Sequence, residues 1–453
     1  MPQAAGQSSV LPPEQNGMAG QRDKGDGAFC HTPTPCHTDA GTRRVYFDHA
    51  ATAPLRPEVL QAMEPWLTQG FGNANTLYQE GKQARQALDA ARATIAACIG
   101  ATPTQVVFTS GGTEANNALI AGITQGIRGL KGRQRGGNHL VCSAFEHHAV
   151  LEPIKAMRRQ GFEVALVAPT RAGFVAPEAF AAALRADTML ASVILAQNEI
   201  GTIQPIAQLA GIAHDKGVLF HTDAVQALGR VPLDVGALGV DAASFSAHKL
   251  GGPKGVGAFY LRSRTPFVAA QLGGGQEGGR RSGTSNVAGA VGFARALELA
   301  VAEREQEALR LAGLRDRLAA GLLALDGRVS LTIAGAAAGA AGAAGAGGAG
   351  AAGGAGAAAG AAGDLAHLPG MLSVLVAGLE SETLILKLDA AGFAVSGGSA
   401  CSTGSLEPSH VLLALGLSRD EAYSVMRISL GRENTSQDVD RFLSAWAKIW
   451  PAI

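Results

Sequence analysis

Lys249 stands in Ser246-Ala247-His248-Lys249-Leu250-Gly251-Gly252-Pro253-Lys254-Gly255, directly after the short apolar run DAASFSA and before a glycine-rich turn. A lysine partly buried at such an edge loses hydration, its amine pKa falls, and it becomes a nucleophile toward carbonyl carbon. A solvated loop lysine is the plainer alternative. Asp223, in His221-Thr222-Asp223-Ala224-Val225-Gln226, closes another apolar run. An acid there needs a partner, and either a pyridinium nitrogen or the amides of a following helix would serve. Ser110-Gly111-Gly112-Thr113-Glu114 offers two glycines for a tight turn and a hydroxyl at the start of a helical stretch. Helix N-terminal amides attract phosphate, although Thr113 as an ordinary helix cap explains the same residues. The fourth feature is Cys401, a lone thiol in GGSACSTGSLEPSH. A structural cysteine sits among Val, Leu and Ile, whereas this one lies among small residues, where access and local pKa govern thiolate reactivity.

These residues need elements to hold them. QVVFT (105–109), HLVCSAF (139–145), TMLASVILAQ (188–197), VLFHTDA (218–224) and DAASFSA (241–247) are short apolar runs separated by helical stretches such as TEANNALIAGI and HHAVLEPIKAMRRQG. Alternation of this kind predicts an α/β fold with a mainly parallel, covered sheet. The polar clusters fall just after the runs, at the sheet edge where such folds bind ligands. Farther on, MLSVLVAGL, ETLILKLDAAGFAVSGG and VMRISLG alternate again and predict a smaller α/β unit.

The chain has 453 residues, 47% hydrophobic and 16% charged, with 37 basic and 37 acidic side chains. A soluble globular protein of two domains is expected, and no bulk field favours nucleic acid or an anionic membrane. The start, MPQAAGQSSVLPPEQNG, lacks the basic and apolar regions of a signal peptide, and no apolar run reaches membrane length. Five cysteines argue against a disulfide framework and for a reducing, cytoplasmic location.

Residues 1–43 are rich in Pro, Gly, Gln, Ser and Thr and read as a disordered tail. Its CHTPTPCHT (Cys30 to Thr38) matches no structural zinc spacing, and no metal site is assigned. Residues 334–363 are Ala and Gly alone and read as a flexible insertion in a surface loop. The G-x-G-x-x-G within them (Gly345, Gly347, Gly350) lacks the strand-turn-helix context of a dinucleotide site.

A lysine, an aspartate and a phosphate cradle together suggest pyridoxal phosphate. At this point the order of motifs matters. YFDHAATAPLRPEV, FTSGGTEANN, FEHHAVLEP, QNEIGTIQPI, HTDAVQALG, SFSAHKLGGPKGVGAFY, GGGQEGGRRSGTSN, SGGSACSTGSLEPSHVLLALG and MRISLGR follow one another from residue 45 to 450. The chain resembles a cysteine desulfurase of the class V aminotransferase family, and SGGSAC with SLEPSHVL resembles the subgroup with the longer, mobile cysteine loop.

That resemblance implies the pyridoxal-phosphate fold type I, aspartate aminotransferase-like, with a large cofactor domain at 58–308 and a small domain formed by 44–57 and 309–453. It implies that Lys249 would hold the cofactor covalently and Asp223 would face its ring nitrogen. Gln226 would meet the ring hydroxyl, and His147 would stack on the ring and assist proton transfer. Gly112, Thr113, Ser246 and His248 would cradle the phosphate. Thr284 would reach the phosphate in a neighbouring subunit of a homodimer. Asn198 and Arg427 would hold the carboxylate of L-cysteine, and Cys401 would take its sulfur as a persulfide for an acceptor protein. Iron–sulfur cluster assembly and tRNA thiolation are the implied destinations. His148 competes with His147 for the ring position, and residues alone do not choose between them. Selenocysteine lyase, or another β-eliminating enzyme on this scaffold, stays open, as, more remotely, does a non-catalytic scaffold. Two residues depart from the pattern. Tyr78 stands where histidine is common, and Asp48-His49 where Asp-Asn is usual, so both bear on substrate handling.

Overall fold

The computed structural model describes residues 43–130, 137–325, 327–333, 366–398 and 407–449. The Ala/Gly tract, the N-terminal tail with its Cys-His pairs, and Cys401 lie outside them. Among the described residues, thirteen strands run in chain order. They are β1 (Val45–Tyr46), β2 (Val106–Thr109), β3 (His139–Ser143), β4 (Glu163–Val167), β5 (Thr188–Ser192), β6 (Leu219–Asp223) and β7 (Ala242–Ser246), then β8 (Gly257–Leu261), β9 (Val329–Leu331), β10 (Met371–Val376), β11 (Phe393–Ala394), β12 (Ser396–Gly397) and β13 (Val425–Ser429).

The central sheet has seven strands in the order β2-β8-β7-β6-β5-β3-β4. All its pairings are parallel except those of β8, which runs antiparallel to both β7 and β2. The mainly parallel sheet is therefore present. Its strands β3, β5 and β7 are buried along their whole length, as strands covered by helices on both faces must be. TMLASVILAQ is longer than the strand it forms, because β5 ends at Ser192 and the remaining residues enter a buried turn.

The ends of β2, β3, β5, β6 and β7 share one edge of the sheet, and this direction places every polar cluster on the same side. Helix Gly112–Arg128 starts there, three residues after β2. A Cβ on Gly112 would lie 2.7 Å from Val225 Cγ2, so only glycine lets the helix start approach the turn after β6 so closely. Because the helix begins at Gly112, Thr113 is its second residue and not its cap.

A second sheet, β12-β13-β10-β9, is wholly antiparallel. β1 pairs in parallel with β11, and Asp48 bridges Ser429, so residues from both ends of the sequence meet. Phe47, Phe393, Phe442 and Trp446 pack here with ring centroids 5.3–6.4 Å apart. Each such buried ring contributes on the order of 2 kcal/mol. The 39-residue helix Val287–Leu325 connects the two cores, burying Phe293 and Leu297 in one and Leu314, Leu318 and Leu322 in the other. The boundary expected at residue 308 falls inside this helix. Among the described residues, no helix is long and apolar enough to cross a membrane.

Candidate active site

A cavity of about 350 Å³ opens at the edge where the parallel strands end. Ten of the twelve predicted site residues line it: Gly112, Thr113, His147, Asn198, Asp223, Gln226, Ser246, His248, Lys249 and Arg427. The other two are Thr284, which is exposed on a loop outside the lining, and Cys401.

Asp223 is the last residue of β6 and is buried. Its Oδ2 accepts from Asn116 Nδ2 at 2.6 Å and its Oδ1 from the Val225 amide at 3.0 Å. Lys249 closes a 3₁₀ turn after β7, half-buried, with Nζ donating to the carbonyls of Ala50 and Ala51 at 2.7 Å each. That excludes a simply solvated lysine. Ser246 ends β7 and is buried. The His248 ring bonds Thr52 Oγ1 at 3.1 Å through Nδ1, and burial first, then Lys249, pushes its pKa down to about 4. Gln226 lines the cavity with both ends of its amide engaged: Nε2 donates to the Ala50 carbonyl at 2.8 Å and Oε1 accepts from Arg230 at 2.5 Å.

His147 caps helix His148–Arg159, and its Nδ1 accepts from the Ala149 amide at 3.0 Å. That bond makes Nδ1 the acceptor and leaves the proton on Nε2. Burial lowers its pKa, opposed by Asp223 and aided by Lys249 and His148, so the ring is neutral at physiological pH. His148 packs against His410. Its ring lies 4.6 Å from that of His410, and His410 Nε2 bonds the Glu146 carbonyl at 2.8 Å. Both histidines line the cavity, and His147 lies within electrostatic reach of Asp223 and Lys249.

Arg427 sits in the middle of β13 at 1% exposure. It donates to Asp48 Oδ1 at 2.7 Å and to the Asn198 carbonyl at 2.9 Å. Arg427 Nε and Asn198 Oδ1 are buried with no hydrogen-bond partner among the described residues. The Arg427 guanidinium thus keeps a buried donor to spare, of the kind a carboxylate takes, whereas the spare atom of Asn198 is an acceptor.

Four residues were not predicted. Asn116 presents a buried, unpartnered Oδ1 to the cavity while fixing Asp223. Its signal was available, since it lies three residues after Thr113 and hence on the same helix face. His410 lies in a stretch quoted for its cysteine. Glu146 and Glu199 look by type like solvated loop acids, yet both are buried in the cavity wall. Burial pushes Glu199 up to about 7, against the opposing Ser409 hydroxyl and Arg427. Burial likewise pushes Glu146 up to about 8, with Ser143 opposing and Asp223 adding to the rise.

The sign of the Glu146 effect is definite. Between 4.5 and about 8 the folded chain keeps a proton that the unfolded chain has released, so stability falls as pH rises through that window. Glu146→Gln removes the titration while keeping an acceptor for the Ser143 hydroxyl and the Ile194 amide. Thermal melts of the cofactor-free proteins should show the variant losing less stability than the parent across that window. Parallel pH profiles would show that Glu146 does not titrate there.

The two departures take separate places. His49 is buried against Gly431, beside Arg230, in a second cavity of about 140 Å³ between the long helix and the ends of β10 and β13. It does not line the site cavity, whereas Asp48 reaches it through Arg427. Tyr78 caps helix Gln79–Cys98 and is 56% exposed, away from both cavities.

The aminotransferase class-V family profile matches residues 45–339 and 361–442. The chain belongs to the class V aminotransferase family. Within that family it is 41% identical over 407 residues to "Cysteine desulfurase IscS" of Dictyoglomus turgidum, covering 90% of this chain and 94% of that protein. It is 44% identical over 401 residues to the protein of the same name from Anaeromyxobacter dehalogenans, covering 87% and 90%. At these identities it is a member of the cysteine desulfurase group. A solved structure described as a NifS-like protein superposes with a TM-score of 0.78 at 34% identity, over 90% of this chain and 100% of that one. Another, described as SspA in complex with cysteine, gives 0.68 at 31% identity, over 85% and 98%. The class V assignment agrees with the parallel sheet, the antiparallel β8 and the site at the strand ends.

Proposed function

We propose that this chain is a pyridoxal-phosphate-dependent cysteine desulfurase that converts L-cysteine to L-alanine and leaves the sulfur as a persulfide on Cys401. The observation that carries this reading is the convergence on one cavity of an amine (Lys249), a carboxylate (Asp223), a neutral imidazole (His147) and a carboxylate receptor (Arg427 with Asn198).

The residues present fit the cofactor. Gly112 and Thr113 at the start of a 17-residue helix, with Ser246 and His248, make a phosphate cradle. Asp223, held by Asn116, would support a protonated ring nitrogen, and Gln226, in the same cavity wall, would meet the ring hydroxyl. Lys249 is the covalent anchor. When bound, the cofactor supplies an electron sink for carbanion character at the substrate α-carbon.

The rest is the work of the chain. Arg427 and Asn198 hold the substrate carboxylate. Lys249 takes the α-proton, and His147, kept neutral by burial, exchanges a proton through Nε2. The Cys401 thiolate attacks the substrate sulfur. A sulfur–sulfur bond forms and the carbon–sulfur bond breaks, its electron pair staying with carbon, which is protonated and leaves as alanine. The persulfide then passes to a thiol of an acceptor protein in iron–sulfur cluster assembly or tRNA thiolation. Thr284 reaches the phosphate of a second copy of this chain in a cytoplasmic homodimer. Its exposure, and that of Leu272 on the same loop at 81%, support that reading.

The test is stoichiometry. The cofactor-loaded protein, mixed with one equivalent of L-cysteine per site and no other thiol, should yield one alanine per site and a Cys401 peptide heavier by one sulfur atom. Alanine with no added sulfur on Cys401, or the sulfur on Cys98 or Cys142, would defeat the assignment.

A further inference from the structure

Glu199 is fully buried in the wall of the cavity, next to Asn198 in sequence. Its turn is rigid. Gln197 Oε1 accepts from the Glu199 and Ile200 amides, and Gln197 Nε2 donates to the Phe145 carbonyl at 3.0 Å. Gly201 follows at φ +80°, with the His367 ring packed so closely that a Cβ would lie 2.4 Å from it. The carboxyl of Glu199 points across the cavity wall to the C-terminal part of the chain. Its Oε2 accepts from Ser409 Oγ at 2.5 Å, 210 residues away. The same Ser409 caps helix His410–Ala414 by accepting from the Leu412 amide. The third participant is Gly398, which is buried against the same oxygen. A Cβ there would lie 3.4 Å from Glu199 Oε2 and 2.8 Å from a Leu412 methyl. Gly398 and Ser409 thus flank Cys401 on either side in sequence, and both meet one carboxyl. That carboxyl also lies within electrostatic reach of Arg427.

We infer that Glu199 is a positioning residue for sulfur transfer, which ties both roots of the cysteine-bearing segment to the turn that carries Asn198 and so registers the thiol against the bound substrate. The inference rests on the reading of Cys401 as sulfur acceptor. Glu199 need not touch substrate. It sets where Gly398 and Ser409 start and end the segment, and a fixed pair of ends raises the effective concentration of the thiol at the substrate sulfur.

The decisive experiment uses the cofactor-loaded full chain. Glu199→Ala should lower kcat for alanine formation roughly tenfold, as loss of one buried bond to a carboxyl implies. Binding of L-cysteine, followed by the change in cofactor absorbance, should stay within about twofold, because Arg427 and Asn198 are untouched. Alkylation of Cys401 by iodoacetamide, read by peptide mass, should become faster. Glu199→Gln keeps an acceptor for the Ser409 hydroxyl and should recover kcat to within about threefold. Ser409→Ala removes the same bond from the other side and should repeat the loss, which covers the case where Glu199→Ala does not fold. Parental kcat and parental alkylation in Ser409→Ala, together with the same result in any folded Glu199→Ala, overturn the inference. A parent enzyme that never carries sulfur on Cys401 fails the underlying reading and removes the inference with it. Sulfur on Cys401 in the parent and equally fast in the variants defeats the inference alone.

Discussion

Replacing Lys249 with Ala should stop alanine formation, with a fall of about 10⁴-fold or more, even with pyridoxal phosphate in excess. General acid–base catalysis by one positioned group is worth about 10² to 10⁴, and Lys249 has a second role as the covalent anchor. Its position supports both. The amine stands on a short turn that β7 aims at the ligand edge, and two carbonyls at 2.7 Å orient it in the cavity wall. A substitution there shortens a half-buried side chain and leaves both cores intact, so the melting temperature should change little. Cofactor added to the variant should bind without the visible band of a lysine-linked form. The measurement is alanine release alongside absorbance and melting. Residual turnover within about a hundredfold of the parent would place the essential base elsewhere.

Cys401→Ala should abolish persulfide formation and sulfide release while the cofactor absorbance and the response to added L-cysteine persist. The large effect follows in part from the state of the two cysteines among the described residues. Cys142 is wholly buried in β3, and burial pushes its thiol far up, with Glu146 adding to the rise. Cys98 is half-buried, and burial with the nearby Glu298 raises it too. Neither is a thiolate at neutral pH, and only the thiolate attacks sulfur. Mass analysis of each cysteine-containing peptide after turnover checks the result. Sulfur on Cys98 or Cys142 in the variant, or sulfide released at the parental rate, would remove Cys401 from the reaction.

Much of this site is written locally. Lys249, Ser246, His248 and Asp223 could be found because each follows a short apolar run, and a strand of a covered sheet must end in polar residues where it leaves the core. Local pattern also located the helix start at Gly112 and Thr113. It did not show why residue 112 is glycine, since Val225, which a Cβ would strike, is 113 positions away in sequence. The choice between His147 and His148 was equally beyond it. Adjacent residues at a helix start differ only in where the cap turns them; in the folded chain His147 comes within electrostatic reach of Asp223 and Lys249, and the His148 ring packs on His410.

The sequence by itself determined the class of fold and the identities of the groups that do chemistry, because apolar periodicity and the types of the polar residues after it are properties of neighbours along the chain. Tertiary structure alone decided the meetings. Arg427 finds Asp48 across 379 positions, Ser409 finds Glu199 across 210, and Lys249 finds Ala50 across 199. Burial, which turned Glu146 and Glu199 from surface-like acids into proton-holding groups of the cavity wall, was decided there too. Contacts and desolvation of this kind depend on strand order and on how the long helix joins the two cores, and neither leaves a periodic trace in the residues that end up together.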